Sequence, residues 1–157
     1  MSTLKWFEAV VPVGLEVRQV YGFIFSTDGR ILVLEDEGNF NLPGGKPEYS
    51  ESVGETLARE SLEEGQVIIG TADYLGYQCI EGEEHFAQVR LVASIEHFLP
   101  SDKDPSTGRQ YQRLLVPPSE LNELLRWEAS GNQQVVSAIV AASKFGVSWD
   151  GTPHAYI

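Results

Sequence analysis

The sequence predicts an α/β fold in which a mixed β-sheet lies between helical layers. Stretches of strand length, rich in β-branched and aromatic residues, lie on both sides of one charged helical segment in the middle of the chain. Two further helical patterns follow near the end. An order of strands, helix, strands and helices is typical of a sheet covered on both faces. The length of 157 residues fits a single domain, 1–157.

The first elements are an N-terminal segment and a predicted hairpin. Residues 1–15 form either an arm or an extra strand. Trp6 and Phe7 in this segment more often pack in a core or at a homodimer contact than stack on a nucleobase. Asp-Gly is a strong hairpin signal between strand-like runs. The predicted hairpin consists of strands Arg18–Phe25 and Ile31–Leu34 with its turn at Asp28-Gly29.

The remaining elements begin with the charged helix, for which Ser50 and Ser52 are alternative N-caps. A tail, 146–157, follows the last helix and either packs against the sheet or stays loose. The last helix is amphipathic, with Val135, Val136, Ile139, Val140 and Ala142 predicted to face the core. After the charged helix the sequence predicts strand Val67–Ile69 continued by Tyr74–Ile80, strands His85–Phe98 and Gln110–Val116, and helices Pro118–Leu125 and Gly131–Phe145.

Charge and cysteine content narrow the class of protein. The net charge is −12, from 23 acidic and 11 basic residues. This balance argues against nonspecific nucleic-acid binding and against docking on an anionic membrane. Glu8 and Pro12 interrupt the apolar start, so we expect no signal peptide. Cys79 is the sole cysteine, and without an internal disulfide we expect a reducing, cytoplasmic location.

Glu60, Glu63 and Glu64 are the strongest candidates for a functional site. Residues three and four apart share one face of a helix, and like charges at that spacing repel. A divalent cation would compensate, and Mg²⁺ takes oxygen ligands from carboxylates together with substrate phosphates. Arg59 lies four residues from both Glu55 and Glu63, so ion pairing along the helix is available.

The spacing of these charged residues resembles the Nudix box, G-x5-E-x7-R-E-U-x-E-E-x-G-U. The apolar position of that box is Ser61 here, and its last glycine is Gln66. Gly65, one residue early, is expected to supply the left-handed turn that ends the helix. The matching pattern is Gly45-x5-Glu51-x7-Arg59-Glu60-x2-Glu63-Glu64-x2-Val67.

The resemblance implies a Nudix-type α/β/α sandwich with a mixed sheet. It also implies hydrolysis, dependent on Mg²⁺ or Mn²⁺, of the diphosphate linkage in a nucleoside diphosphate joined to another moiety. The substrate would be a small nucleotide. Glu60 and Glu64 would be the primary metal ligands, Glu63 a third, and the backbone carbonyl of Gly44 a fourth. Arg59 would orient a glutamate, and Glu51 would support the loop or a second metal.

The general base and the substrate-binding residues are less well specified. Many Nudix relatives carry an acidic residue just before the strand that here begins near Gln110, where this chain has Gln110 and Gln112. The substitutes are Asp102, Asp104, Glu83 and Glu84, with Asp104 the first choice. Substrate contacts are assigned to Lys46, Phe40 and Arg18, with Arg90, Arg109 and Arg113 as further phosphate-binding candidates. The altered Ser61 and Gln66, with the missing acid, leave a non-catalytic Nudix-like nucleotide-binding or sensing module as the alternative.

Overall fold

The computed structural model describes residues 2–157. Within that range, none of the helices has the length and apolar character needed to cross a membrane. The helices are α1 (Val53–Gly65), α2 (Pro118–Leu124) and α3 (Ala129–Ser143). The strands are β1 (Thr3–Phe7), β2 (Val17–Phe25), β3 (Ile31–Asp36), β4 (Asn39–Asn41), β5 (Gly44–Gly45), β6 (Val67–Ile69), β7 (Asp73–Glu81), β8 (His85–Phe98), β9 (Gln112–Val116) and β10 (Ala155–Tyr156).

The strands form a mixed sheet in the order β1-β7-β8-β2-β3-β9-β10. At its centre β2 runs parallel to β8, with Gly22 opposite Leu91. The other pairings are antiparallel, including those of the short strands β4 with β3, β5 with β2, and β6 with β8. The β2–β5 pairing holds Gly44 and Gly45 against the middle of the sheet.

Alternation along the central strands creates two apolar cores, one on each face of the sheet. Val20 and Ile24 of β2 belong to the core that contains Leu57 of α1. Phe23, between them in the sequence, belongs to the core that contains Leu121 of α2. Residues of α3 complete this second core. The predicted α/β/α sandwich is therefore confirmed.

Both ends of the chain add strands to the sheet. Residues 3–7 form β1, which pairs with β7 along the edge, so the extra-strand alternative describes this segment. In the tail, β10 pairs with β9. The backbone N–H of Asp150 also donates to the carbonyl of Asp28, at 3.1 Å, which ties the tail to the β2–β3 turn.

Helix α3 is rotated relative to its predicted orientation. Val135 and Ala142 are buried as expected, but Val136, Ile139 and Val140 are 60, 41 and 54% exposed, so that part of the prediction is wrong. The cause is Gln134, which is 1% exposed and bonds through its amide to Arg90 and Gln78 of the sheet. Because these buried polar groups need partners, Gln134 takes the inner face and turns the three apolar residues outward.

Candidate active site

Helix α1 begins with a capping box. The Oγ of Ser52 accepts from the N–H of Glu55 at 3.1 Å, and the Glu55 carboxylate accepts from the N–H of Ser52 at 3.0 Å. Ser52 is therefore the N-cap, and Ser50 lies outside the helix. Within the described residues Arg59 and Glu55 form no ion pair, because the Glu55 carboxylate is turned toward the helix start instead.

Arg59 connects the acidic side chains of the box. Its Nε donates to Glu51 at 2.6 Å, and its Nη1 donates to Glu60 at 2.8 Å and to Glu63 at 3.4 Å. Its Nη2 donates to the carbonyl of Lys46 at 3.0 Å, which joins the helix to the loop before it. The Arg59 guanidinium lowers the pKa of Glu51 to about 2. Arg59 thus hydrogen-bonds to three carboxylates of the box.

Glu64 is half-buried and bonds to the loop before the helix. Its Oε1 accepts from the backbone N–H of Gly44 at 3.0 Å. Burial raises the pKa of Glu64 to about 8 against the opposing effect of that hydrogen bond, and the charges of Glu60, Asp104 and Glu63 add to the rise. Burial also raises the pKa of Glu60. The carboxylates of the cluster therefore repel one another, and a bound cation would offset this repulsion.

The raised pKa of Glu64 predicts that the free energy of unfolding of the metal-free protein depends on pH. Glu64 ionises near pH 4.5 when unfolded but near 8 when folded. Between those values the folded protein holds a proton that the unfolded chain has released, so the free energy of unfolding should fall as pH rises. Urea unfolding in chelator at pH 5 and pH 8 measures this. The slope should flatten in Glu64→Gln but not in Glu123→Gln, and a stability that does not fall in the wild type would contradict it.

Two glycines allow the loop to approach the helix closely. A Cβ on Gly45 would lie 2.8 Å from the carboxylate carbon of Glu60. A Cβ on Gly44 would lie 2.1 Å from the carbonyl oxygen of Val20 on the neighbouring strand. Any side chain at either position would displace the carboxylate or the strand. The glycines therefore bring backbone polar groups next to the acidic cluster.

Asp104 joins the cluster from the loop between β8 and β9. It is only 3% exposed, and its carboxylate accepts from the N–H of Ser106 at 2.7 Å. The Ser106 hydroxyl in turn donates to Glu63 at 3.3 Å. The charge of Asp104 raises the pKa of both Glu60 and Glu64, which places it beside them. Of the acidic substitutes considered, Asp104 is thus the one found buried at the cluster.

Gln66 ends helix α1 and holds the following loop, a role that the sequence pattern did not predict. Gln66 itself adopts the left-handed conformation, φ 51° and ψ 43°, whereas Gly65 remains helical, so the expectation for Gly65 is wrong. A Cβ on Gly65 would come 3.3 Å from Leu34, so close packing explains that glycine. The Gln66 amide donates to the carbonyl of Glu63 at 3.0 Å and accepts from the N–H of Asp102 at 2.9 Å. These bonds tie the loop bearing Asp104 to the end of α1.

Ser61 occupies a fully buried position on α1. Its hydroxyl is among the buried side-chain groups with no hydrogen-bond partner in the described chain. An unsatisfied buried polar group costs roughly 1–3 kcal/mol, so Ser61→Ala should raise the free energy of unfolding by about 1 kcal/mol. Chemical denaturation measures the change, and turnover should stay unaltered. Loss of stability would show that the hydroxyl has a partner.

The three residues proposed to contact substrate lie apart from the acidic cluster. The Arg18 guanidinium pairs with Glu16 at 3.2 Å and Glu84 at 2.9 Å. The side chain of Lys46 is exposed, and only its carbonyl takes part in the site, through Arg59. Phe40 is half-buried on β4 and packs against the second core. Within residues 2–157, no hydrogen bond or ion pair joins these three side chains to Glu60, Glu63 or Glu64.

A cavity of about 340 Å³ has a buried arginine, Arg90, among the residues that line it. Arg90, on its wall, is only 4% exposed, and burial lowers its pKa to about 10. Its Nη1 has no hydrogen-bond partner within residues 2–157. The rings of Tyr21 and Trp127 lie 5.3 and 5.4 Å from the guanidinium carbon. The sequence predicts Arg90 only as one of several phosphate-binding candidates, because the alternation of β8 does not show which elements cover this side chain.

Glutamine amides orient this arginine. Its Nε donates to Gln134 at 3.1 Å, Gln134 donates to Gln78 at 2.9 Å, and Gln78 donates to Gln88 at 3.1 Å. A guanidinium has donors only, so each amide in the relay must present its oxygen toward Arg90 and its nitrogen away. The relay therefore fixes the Nε side of Arg90, while Nη1 stays buried without an acceptor in the described chain.

Tyr21 separates the cavity from the acidic cluster. It lines the cavity and pairs in register with Gly44. Burial raises the pKa of its phenol, Arg90 lowers it, and the charges of Glu64 and Glu60 raise it. Tyr21 thus lines the cavity while the charges of Glu60 and Glu64 act on its phenol, so one residue lies near both features.

The site and fold match a known family. The NUDIX domain model matches residues 16–138. The chain therefore belongs to the NUDIX family, and we place it among the family's hydrolases, which generally cleave a nucleoside diphosphate linked to another moiety. No curated protein sequence matches the chain significantly.

Solved structures support the same fold. The pyrophosphohydrolase of Bacillus subtilis superposes with a TM-score of 0.72 at 18% identity, covering 90% of this chain and 92% of its own. A NUDIX hydrolase from Nitrosomonas europaea gives 0.63 at 18%, covering 81 and 90%. The MutT protein from Methanosarcina mazei Go1 gives 0.56 at 20%, covering 84 and 99%. At these identities the likeness extends to the fold alone.

Proposed function

We propose that this chain is a hydrolase, dependent on Mg²⁺ or Mn²⁺, that cleaves the diphosphate linkage of a nucleoside diphosphate joined to another moiety. The observation that carries the proposal is the convergence of Glu60, Glu63, Glu64 and Asp104, with Tyr21 near both this cluster and the cavity that Arg90 lines. The cluster suits a cation with phosphates, and the cavity suits an uncharged or anionic acceptor on the same substrate.

The donor set fits a hard cation. Glu60, Glu64, Glu63 and the carbonyl of Gly44 offer only oxygen ligands, as Mg²⁺ and Mn²⁺ prefer. The raised pKa of Glu64 is the observation that calls for positive charge there. Arg59 holds Glu60 and Glu63, while the Gly44 amide holds Glu64. When bound, the cation would neutralise the negative charge of the diphosphate oxygens during cleavage.

The protein's own side chains would position the reactants. Arg59 keeps Glu60 and Glu63 in place through a fork of hydrogen bonds, without needing to touch substrate. Asp104 is the candidate to accept a proton from the attacking water, because it is buried next to the glutamates. The loop that carries Asp104 is held by Gln66, so the proposed base depends on the end of α1.

The nucleoside half would occupy the cavity beyond Tyr21. Trp127 offers a planar face on its wall. Arg90 lies on the same wall, and an arginine fork pairs well with two acceptors such as O6 and N7 of guanine. These features favour a purine that presents acceptors over one that presents an amino group.

The test is turnover on a panel of substrates. Phosphate release, with pyrophosphatase or phosphatase coupling, is measured on nucleoside diphosphate sugars, dinucleoside polyphosphates, ADP-ribose and nucleoside triphosphates, each as guanine and adenine forms where both exist. Assays contain Mg²⁺, Mn²⁺ or chelator. We expect chelator-sensitive turnover of one class, with the guanine form preferred.

The same panel addresses the alternative of a binding or sensing module. A folded protein that binds a nucleotide tightly but turns over none of the panel would overturn the hydrolase proposal. Turnover that persists in chelator would contradict the role given to the cation. Equal turnover of guanine and adenine forms would overturn only the assignment made for Arg90.

A further inference from the structure

A second group of metal-ligating side chains lies at the end of the β7–β8 hairpin, outside α1. Cys79 and Glu81 are two residues apart on β7, so their side chains point to the same face of the sheet. His85 is the register partner of Glu81 on β8, which places its side chain on that face as well. The hairpin geometry alone therefore brings a thiol, a carboxylate and an imidazole together.

The distances within this group suit a single small cation. The Cys79 sulfur lies 3.2 Å from Nε2 of His85 and 3.9 Å from Oε1 of Glu81. Nε2 of His85 lies 3.7 Å from the same carboxylate oxygen. Tetrahedral zinc, with bonds of roughly 2.0–2.3 Å, separates its ligand atoms by about 3.3–3.6 Å. An ion would therefore fit with small side-chain adjustments and no movement of the backbone.

The surroundings leave an entry path and a free ligand position. Cys79 is 4% exposed, whereas the side chains of Glu81 and His85 are 43 and 59% exposed. Lys5 of β1 pairs with the other oxygen of Glu81, Oε2, at 3.8 Å, so Oε1 remains directed toward Cys79 and His85. An ion would enter from solvent past the histidine and retain a water as its fourth ligand.

We propose that Cys79, Glu81 and His85 bind a divalent cation of the Zn²⁺ type. Thiolate and imidazole ligands select zinc over magnesium, so this site and the all-oxygen cluster on α1 would take different metals. Cys79 releases its proton to solvent on binding, and affinity therefore rises with pH. The bound ion would link β7 to β8 beside the edge strand β1. The proposal does not depend on the proposed hydrolase activity.

Cobalt titration tests the site directly. Co²⁺ is added to the full chain after chelator treatment, in excess Mg²⁺, and near-ultraviolet and visible absorbance is recorded. We expect a sulfur-to-cobalt charge-transfer band that saturates near one ion per chain and is bleached by Zn²⁺. The glutamates of α1 contain no sulfur and cannot produce this band, so failure of the hydrolase proposal would leave the result unchanged.

Variants separate a three-ligand site from metal bound by the thiol alone. Cys79→Ser should abolish the band. The exposed substitutions Glu81→Gln and His85→Ala preserve the core and should weaken Co²⁺ binding by roughly tenfold or more, since even outer-shell changes at metal sites cost 10–100-fold. His97→Ala, on the exposed part of β8, is the matched control and should bind normally. A folded wild type without the band, or a band unaffected in both exposed variants, would overturn the site.

Discussion

Glu64→Gln should lower kcat by roughly 10²–10³-fold, the range found when one group that stabilises transition-state charge is removed. Glu64 is one of the two proposed primary metal ligands, and glutamine removes its charge while keeping an oxygen for the Gly44 amide. The same change should stabilise the metal-free protein at pH 8 by about 2–4 kcal/mol, because the raised pKa no longer opposes folding. Steady-state kinetics and urea unfolding measure the two effects.

The opposite signs of these effects distinguish a functional residue from a structural one. A variant that merely misfolded would lose both activity and stability. Glu123→Gln, an exposed change of the same chemistry on α2, should alter neither. Full activity in Glu64→Gln would remove Glu64 from the proposed ligand set.

Arg90→Met should lower kcat/KM by roughly 10–100-fold on the substrate found in the panel. Hydrogen bonds to a charged group are worth about 1.5–3 kcal/mol, and Arg90 is a charged side chain on the wall of the cavity proposed to hold the nucleoside. Most of the loss should appear in KM, because the cavity lies beyond Tyr21 from the proposed reacting phosphates. Urea unfolding is the folding control, since Met removes a buried charge but also leaves the buried Gln134 oxygen without its donor.

Two comparisons make this second prediction specific. Arg90→Lys keeps the charge but loses the fork, so it should recover little of the preference for the guanine form. Lys144→Met removes an exposed charge after α3 and should leave KM unchanged. An unchanged KM in Arg90→Met would mean that the nucleoside binds elsewhere.

The parts of the site that depend on local spacing could be predicted from the sequence. Glu60, Glu63 and Glu64 share a helical face whatever surrounds the helix, because residues three and four apart lie on one side of it. The order of strands and helices likewise follows from runs of a few residues. The alternation along β2, which places Val20 and Phe23 in different cores, is the clearest example.

The remaining features depend on contacts between distant residues. The rotation of α3 is set by Gln134 bonding to Arg90, and no periodicity within α3 contains that information. The approach of Asp104 depends on Gln66 adopting a left-handed conformation and accepting from the following loop. The capping role of Glu55 competes with its pairing to Arg59, and helical spacing alone allows both. Sequence reasoning identified the right residue types but could not choose among their partners.

The parallel pairing of β2 with β8 has a consequence for the order of folding. Gly22 meets Leu91, so the centre of the sheet closes a long loop that contains the whole of α1. Such distant pairings make folding slow, because the loop must be ordered before the strands gain their contacts. The glutamates would then reach their crowded, buried positions only after the rate-limiting step. A cation that relieves that crowding should therefore slow unfolding while leaving the refolding rate almost unchanged.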